Sequence, residues 1–282
     1  MIALVGQSVL DQTFWPDGVV EHRLGGAPIF AARAVAGRWP AVVVTHGGTA
    51  SLRRGLHELG VEVVEGPTER TTVYRTTLFG DGTWAESLTA LGDPFTPHDV
   101  AGWMAAALEP CSAVVCGAQW RGDFPAATLA ALTRPGRLVY LDGQGPARPR
   151  RLGPVHVQGA LDALALRSVD VLKLSEEEAL ALFGAIDPAA ARVTGVPVVV
   201  VTLGERGAVL LEGARATRIE VDPVLGLADT VGAGDSFLAL MAAAADAGAS
   251  SVEAARAACA GAAALLRTRL AAERPVASAA ER

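Results

Sequence analysis

The sequence predicts an α/β protein with a mainly parallel central sheet between two helical layers. Three observations lead there. Short runs of Val, Ile and Leu alternate with Ala-rich helical segments along most of the chain, the pattern of parallel strands joined by crossover helices. Two segments in the N-terminal third break this alternation and read as hairpins. Near the C-terminus a glycine-rich stretch carrying one carboxylate, Asp229-Thr230-Val231-Gly232-Ala233-Gly234-Asp235-Ser236-Phe237, runs directly into an apolar helical run.

With 282 residues the chain buries about three quarters of its unfolded surface by size scaling, so one α/β domain over residues 1–282 is expected. Hydrophobic residues make up 51% and charged residues 19%, a globular balance rather than a disordered one. The net charge of −6 argues against a nucleic-acid surface, so phosphate must be bound locally. Cys111, Cys116 and Cys259 lack metal-ligand spacing and are expected as buried free thiols. No charged leader opens the sequence, and the apolar stretches from Phe237 to Ala249 and from Val252 to Leu266 are interrupted by Asp246, Gly248, Glu253 and Arg256. No membrane span is expected, and the protein is placed in the cytoplasm. The single lysine, Lys173, and the absence of a GxxxxGK[ST] string exclude a P-loop.

In order, Ile2–Gly6 reads as a buried first strand. Asp11, shortly beyond it, is placed for substrate hydroxyls, because ligands of open α/β sheets sit beyond the carboxyl ends of strands; a turn or capping role is the alternative. Residues Thr13 to Leu24 form a hairpin around Pro16-Asp17-Gly18, and Val73 to Phe79 pairs with Trp84 onward across Gly80-Asp81-Gly82. Gly25-Gly26 opens a helix running from Ala27 to Arg38. Strands follow at Ala41–Thr45, Val61–Val64, Ala113–Cys116, Leu138–Leu141, Asp170–Leu174 and Val198–Thr202, with helices over Thr49–Leu59, Ala101–Leu108, Phe124–Leu132 and from Ser175. Ser175 with Glu178 forms a capping box. Leu203-Gly204-Glu205-Arg206-Gly207 turns into a further strand over Ala208–Leu211. Helices begin at Phe237 and Val252, and the tail Ala277–Arg282 frays.

The glycine-rich stretch carries the chemistry. Glycines let the amides of Gly232, Ala233 and Gly234 face a common point at a helix N-terminus, where the dipole adds attraction for anionic oxygen. Asp235 is placed to take the proton of a hydroxyl attacking a terminal phosphate. After the predicted strand Leu138–Leu141, Asp142-Gly143-Gln144-Gly145-Pro146-Ala147-Arg148 offers carboxylate, amide and guanidinium groups for a polar pocket, with an Asp142–Arg148 pair as the structural alternative.

At DTVGAGDSF the chain resembles the pfkB, or ribokinase-like, family of carbohydrate kinases, and further matches extend along nearly the whole sequence. The resemblance implies a three-layer α/β/α ribokinase-like fold with a small β-sheet lid formed by insertions at about 12–24 and 70–90. It implies ATP and Mg²⁺ as cofactors, Asp235 as catalytic base and Gly232, Ala233 and Gly234 as anion hole. Asp11, Gly25 and Gly26 would hold a sugar. Phe30 stands where many members have asparagine, offering an apolar face to the substrate or simply packing in the core. The D-x-Q-G-x-x-R spacing resembles inositol and nucleoside kinase relatives and implies substrate contacts from Gln144 and Arg148. The N-x-x-E motif keeps Glu178, implied to organise magnesium, and replaces the asparagine with Ser175. Thr202, Gly204 and Gly207 match the nucleotide loop, and Lys173 belongs to the same donor site. The expected partners are ATP and a sugar, polyol or nucleoside, with homodimerisation through the lid as a further expectation. A fold member that binds ligands without catalysis is the alternative from another class.

Overall fold

The computed structural model describes residues 1–46, 54, 55, 57, 58, 60–80, 83–160, 162–224 and 230–272. Most of the expected Thr49–Leu59 helix lies outside these residues, as do Asp81, Gly82, Asp229 and the Ala277–Arg282 tail.

The strands are β1 (Ile2–Gly6), β2 (Val9–Phe14), β3 (Val20–Gly25), β4 (Ala41–His46), β5 (Glu62–Gly66), β6 (Thr72–Leu78), β7 (Trp84–Ala90), β8 (Ala113–Gly117), β9 (Leu138–Asp142), β10 (Gly153–Pro154), β11 (Val171–Ser175), β12 (Val198–Thr202), β13 (Ala208–Glu212) and β14 (Arg215–Ile219). Nine of them form one sheet in the order β14-β13-β12-β11-β9-β8-β1-β4-β5. Every pairing from β12 to β5 is parallel, and β13 is antiparallel to both of its neighbours. Helices cover both faces, so the core strands are apolar on both sides. Ile2 and Leu4 point into one core with Val115, Tyr140 and Val200, while Ala3 and Val5 point into the other with Val114, Leu141 and Val199. The two-residue period of a strand divides the residues in this way.

The first core is closed by α1 (Ala27–Val35) and by two C-terminal helices, Ala233–Asp246 and Ser251–Ala272. Helices of the other layer pack on the second core. They include α2 (Pro97–Ala101), α3 (Ala105–Leu108) and α4 (Ala126–Leu132), followed by α5 (Gln144–Ala147), α6 (Ala163–Leu166), α7 (Glu176–Phe183) and α8 (Pro188–Arg192). The two C-terminal helices are α9 and α10 in chain order.

The expected Ala101–Leu108 helix is two short helices. A capping box between Thr96 and Asp99 starts α2 early, and Gly102, at φ −100 and ψ −111, interrupts the path before α3. Helix α1 stops at Val35 rather than Arg38, and Gly37 takes φ 69, a conformation that glycine ends helices with.

The second sheet has the order β10-β7-β6-β2-β3. Both expected hairpins are in it, and β2 pairs in parallel with β6 to join them. Strand order in the large sheet reverses at β1, which lies between β4 and β8. The carboxyl ends of β1, β8 and β9 therefore open at a topological switch point, next to the second sheet.

Candidate active site

Helix α9 begins within the glycine-rich stretch itself, four residues before the expected start at Phe237. Its cap is Gly232, at φ 76 and ψ 5, with no side chain capping the turn. A Cβ on Gly232 would run into the Phe30 ring, so both the left-handed backbone and the close approach require glycine. The Ala233 N–H donates to the Thr230 carbonyl at 3.1 Å, and the first bond of the helical ladder runs from Ser236 N–H to Gly232 O at 3.0 Å. Gly234 and Asp235 lie in the first turn, ahead of that ladder, where amides lack helical acceptors.

Phe30 is pinned against this loop. The Ser236 hydroxyl donates to the Phe30 carbonyl at 3.4 Å, and the guanidinium carbons of Arg33 and Arg269 lie 5.7 and 6.0 Å from the ring centroid. Arg269 Nη1 also donates to the Val231 carbonyl at 2.6 Å.

Beneath the loop lies a buried charge cluster. Lys173 on β11 places Nζ 3.1 Å from Asp142 Oδ2 at the end of β9, with both side chains less than a tenth exposed. A Cβ on Gly234 would lie 2.5 Å from that same Nζ, so the ammonium sits directly under the first turn of α9. Asp142 pairs with Lys173 and not with Arg148. Burial works against the Lys173 ammonium, but the carboxylates of Asp142, Glu178 and Asp235 outweigh it and raise its pKa. Asp235 is pushed up to about 7, first by burial and then by Asp142, with Lys173 and Arg148 pulling the other way. That value suits a proton acceptor near neutrality.

Glu178 is buried at the start of α7. Its carboxylate accepts the Ser175 N–H at 2.8 Å, while the Ser175 hydroxyl accepts the Glu178 N–H at 3.2 Å. The capping box is therefore real, and Glu178 also lines the cleft described below. Among the described residues no group of three or more His, Cys, Asp or Glu side chains could cage a metal ion. The cleft instead offers scattered carboxylates, which fits Mg²⁺, a cation that keeps several waters and takes one or two protein carboxylates beside phosphate.

These groups line one cleft of about 850 Å³. Gly232, Ala233, Gly234 and Asp235 form its head, with Lys173, Gln144, Arg148 and Glu178 on the floor. Thr202, Gly204 and Gly207 line the rim after β12. Leu203, Val221, Cys259, Ala262, Ala263 and Leu266 form an apolar stretch of its wall, and Glu176, Glu177, Glu205 and Asp222 add acidic groups elsewhere in the lining.

Asp11, Gly25, Gly26 and Phe30 are not part of that lining. Asp11 sits on β2 of the second sheet, not in a turn after β1, with its carboxylate packed against the Gly25 backbone where a Cβ would collide. Burial and then Glu86 push its pKa up to about 7, with Arg23 opposing them. Gly26, at φ 102, caps α1. Arg148 Nη1 approaches Glu86 on β7 at 3.9 Å, linking the second sheet to the floor of the cleft. Gln144 donates through Nε2 to Gln119 Oε1 at 3.3 Å, and the Tyr74 hydroxyl donates to the Gln119 carbonyl at 3.4 Å. Sequence reading missed Glu86, Gln119 and Tyr74; only Gln119, just beyond a strand end, carried a positional signal.

Residues 145–277 match the profile of the pfkB family carbohydrate kinases. No curated protein matches the sequence. A pyrophosphate-dependent kinase in the ribokinase family, complexed with a pyrophosphate analog and myo-inositol, superimposes with a TM-score of 0.77 at 22% identity, covering 95% of each chain. Arabidopsis thaliana ribokinase complexed with ribose and ATP gives 0.72 at 21% identity, over 94% of this chain and 92% of that one. Adenosine kinase from Sinorhizobium meliloti gives 0.68 at 17%, over 93% and 92%. Residues 145–277, just under half of the chain, are thus similar to the pfkB family carbohydrate kinases, and nearly the whole chain has the fold of the ribokinase structures.

Proposed function

We propose that the protein transfers the γ-phosphate of ATP to a hydroxyl of a small sugar or polyol in the cytoplasm, as one catalytic unit over residues 1–282. The acceptor oxygen forms a bond to the γ-phosphorus, the bond from that phosphorus to the β,γ-bridging oxygen breaks, ADP leaves, and the hydroxyl proton passes to Asp235. The observation that carries this reading is the placement of Asp235 in the first turn of α9, over the Lys173 ammonium, at the head of a nucleotide-sized cleft.

In this reading the loop from Gly232 to Gly234 receives the transferring group, with Ala233 releasing Thr230 to do so, and Lys173 adds positive charge directly beneath it. Thr202, Gly204 and Gly207 border the donor. Asp11, Gly25, Gly26, Gln144 and Arg148 orient the acceptor under the second sheet, which excludes water as a lid. Phe30 supports the loop through Gly232 and is already covered by two arginines, which weakens the case for it as a stacking surface for a nucleoside. Glu178 would hold Mg²⁺ through water, and the ion would neutralise charge on the donor phosphates. The outer strand β3 of the lid sheet is the surface offered for homodimerisation.

Pyrophosphate is the competing donor, because a structural neighbour uses it. The apolar wall from Val221 and from Cys259 to Leu266 favours ATP, since pyrophosphate has no apolar part to bury there. Coupled ADP release across a panel of pentoses, hexoses, inositols and nucleosides tests the proposal. Acceptor-dependent ADP formation supports it. Phosphorylation of an acceptor from pyrophosphate but not from ATP would replace the donor, and binding without any product would leave only a ligand-binding role.

A further inference from the structure

The loop that opens α9 is held from outside the cleft. The Ala233 N–H donates to the Thr230 carbonyl at 3.1 Å, closing a turn with Val231 and Gly232 at its centre. Gly232 takes φ 76 and ψ 5 while Val231 keeps a negative φ, the pairing of a type II turn. In a type I turn the central peptide faces the other way, so the Val231–Gly232 peptide has two settings. A trans peptide is planar, with its C=O and N–H pointing in opposite directions. Whatever holds the Val231 carbonyl therefore sets where the Gly232 N–H points.

Arg269, in the last turn of α10, holds it. Its Nη1 donates to the Val231 carbonyl at 2.6 Å, and its guanidinium carbon lies 6.0 Å from the Phe30 ring centroid, within reach of the ring's negative face. The ring fills the space beside Gly232 that a Cβ would need. Arg33 lies 5.7 Å from the same centroid, and burial and then the Arg269 charge lower the Arg33 pKa. Arg269 thus stays on the Val231 carbonyl against a like charge beside it. Gly232 lines the cleft and Arg269 does not, so the carbonyl is drawn away from the cleft and the N–H is turned toward it.

On the strength of the kinase reading, we infer that Arg269 is a positioning residue for phosphoryl transfer: by gripping the Val231 carbonyl it keeps the Gly232 N–H aimed at the transferring group. Arg269 itself touches neither donor nor acceptor. The grip matters most during transfer. When the Ala233 N–H turns to phosphate it gives up the Thr230 carbonyl, and the turn loses its internal hydrogen bond. The bond from Arg269 does not involve the amides that face phosphate, so it persists and keeps the donor set in its working geometry.

The test uses the full chain with Arg269→Met, which removes the donor and the charge but keeps the length, and Arg269→Lys, which keeps one donor and the charge. Thermal melting shows whether each is folded, and Arg269→Gln takes the place of Arg269→Met if that variant is not. Calorimetry with Mg²⁺ measures ADP binding without and with aluminium fluoride, which stands beside ADP as a mimic of the phosphoryl group in flight. Steady-state ADP release then gives kcat and KM for ATP. Arg269→Met is expected to lose about tenfold or more of the affinity gained from fluoride, with ADP alone changed less than about threefold. Its kcat is expected to fall by about tenfold or more at a nearly unchanged KM, below the loss of 10²–10³ for removing such a donor outright, and Arg269→Lys is expected to fall between it and the parent. An unchanged fluoride gain, or an equal loss for ADP alone, overturns the inference, because a merely structural arginine would not separate the two. Loss of the gain in a protein whose parent shows no turnover would uphold the role of Arg269 and defeat the kinase reading. Turnover in the parent with kcat and gain intact in Arg269→Met would do the reverse, and a parent with neither turnover nor gain would defeat both.

Discussion

Asp142→Asn separates the two carboxylates that share Lys173. In the parent, Asp235 is held near 7 by burial and by Asp142, and the base works only when deprotonated, so kcat/KM should rise with pH through about 7. Removing the Asp142 charge takes away a raising influence and leaves the Lys173 ammonium, 3.1 Å from position 142, to act on Asp235 with less competition. A neighbouring charge of this kind shifts a carboxyl by about 1–3 units, so the acidic limb should move down to between about 4 and 6. The same change unpairs a buried lysine. Breaking such a pair costs about 3–5 kcal/mol, and the lower end is expected because Glu178 and Asp235 still face the ammonium. For stability, the raised Asp235 pKa means that the unfolded chain loses this proton near 3.8 while the folded chain keeps it to about 7. The contribution from Asp235 is thus full below 3.8 and declines as pH rises to about 7. The assay is kcat/KM between pH 5 and 9 for parent and variant, with urea unfolding at each end of the range. An acidic limb that stays in place or moves upward would refute the assignment of Asp142 as the group that raises Asp235.

Ala262→Trp, on the apolar wall of the large cleft, should raise KM for ATP tenfold or more with kcat for saturating donor changed little; an unchanged KM would remove α10 from the donor site. Gly232→Ala forces a left-handed alanine, about 1–2 kcal/mol, and a collision with Phe30 worth about 1–3 kcal/mol more. Combining it with Phe30→Ala should recover the second part, and urea titration showing strict additivity would contradict the contact. Ser175→Ala should lower stability by about 1 kcal/mol through loss of the cap, with no change in the pH profile.

The sheet was readable because strands buried on both faces are continuous apolar runs, as in Ile2–Gly6 and Val198–Thr202. Strand β14 was not, since Arg215-Ala216-Thr217-Arg218-Ile219 lies at the sheet edge with only Ile219 buried. The two-residue β10 carries no periodic signal at all. At the site, Gly232 to Asp235 could be read because a tight turn into a helix restricts which residues fit. The Lys173–Asp142 pair could not, because it joins two neighbouring strands at positions 31 apart in the sequence. Asp11 is legible as a polar residue beyond the first strand, but the sequence does not show β2 starting at Val9 and carrying it into the second sheet. Phe30 was read as an open choice between substrate face and core, and its actual neighbours, Gly232 and two arginines, come from the far end of the chain.

The central claim is that Asp235 removes the acceptor proton during transfer from ATP. Its most direct measurement is transfer of labelled γ-phosphate to the best acceptor by the parent and by Asp235→Asn, with ATP binding followed in parallel by calorimetry. The account predicts a loss of turnover of at least a thousandfold with ATP affinity within about threefold of the parent, since general-base catalysis and charge placement act together here. Labelled product formed by Asp235→Asn at a rate near that of the parent would contradict it.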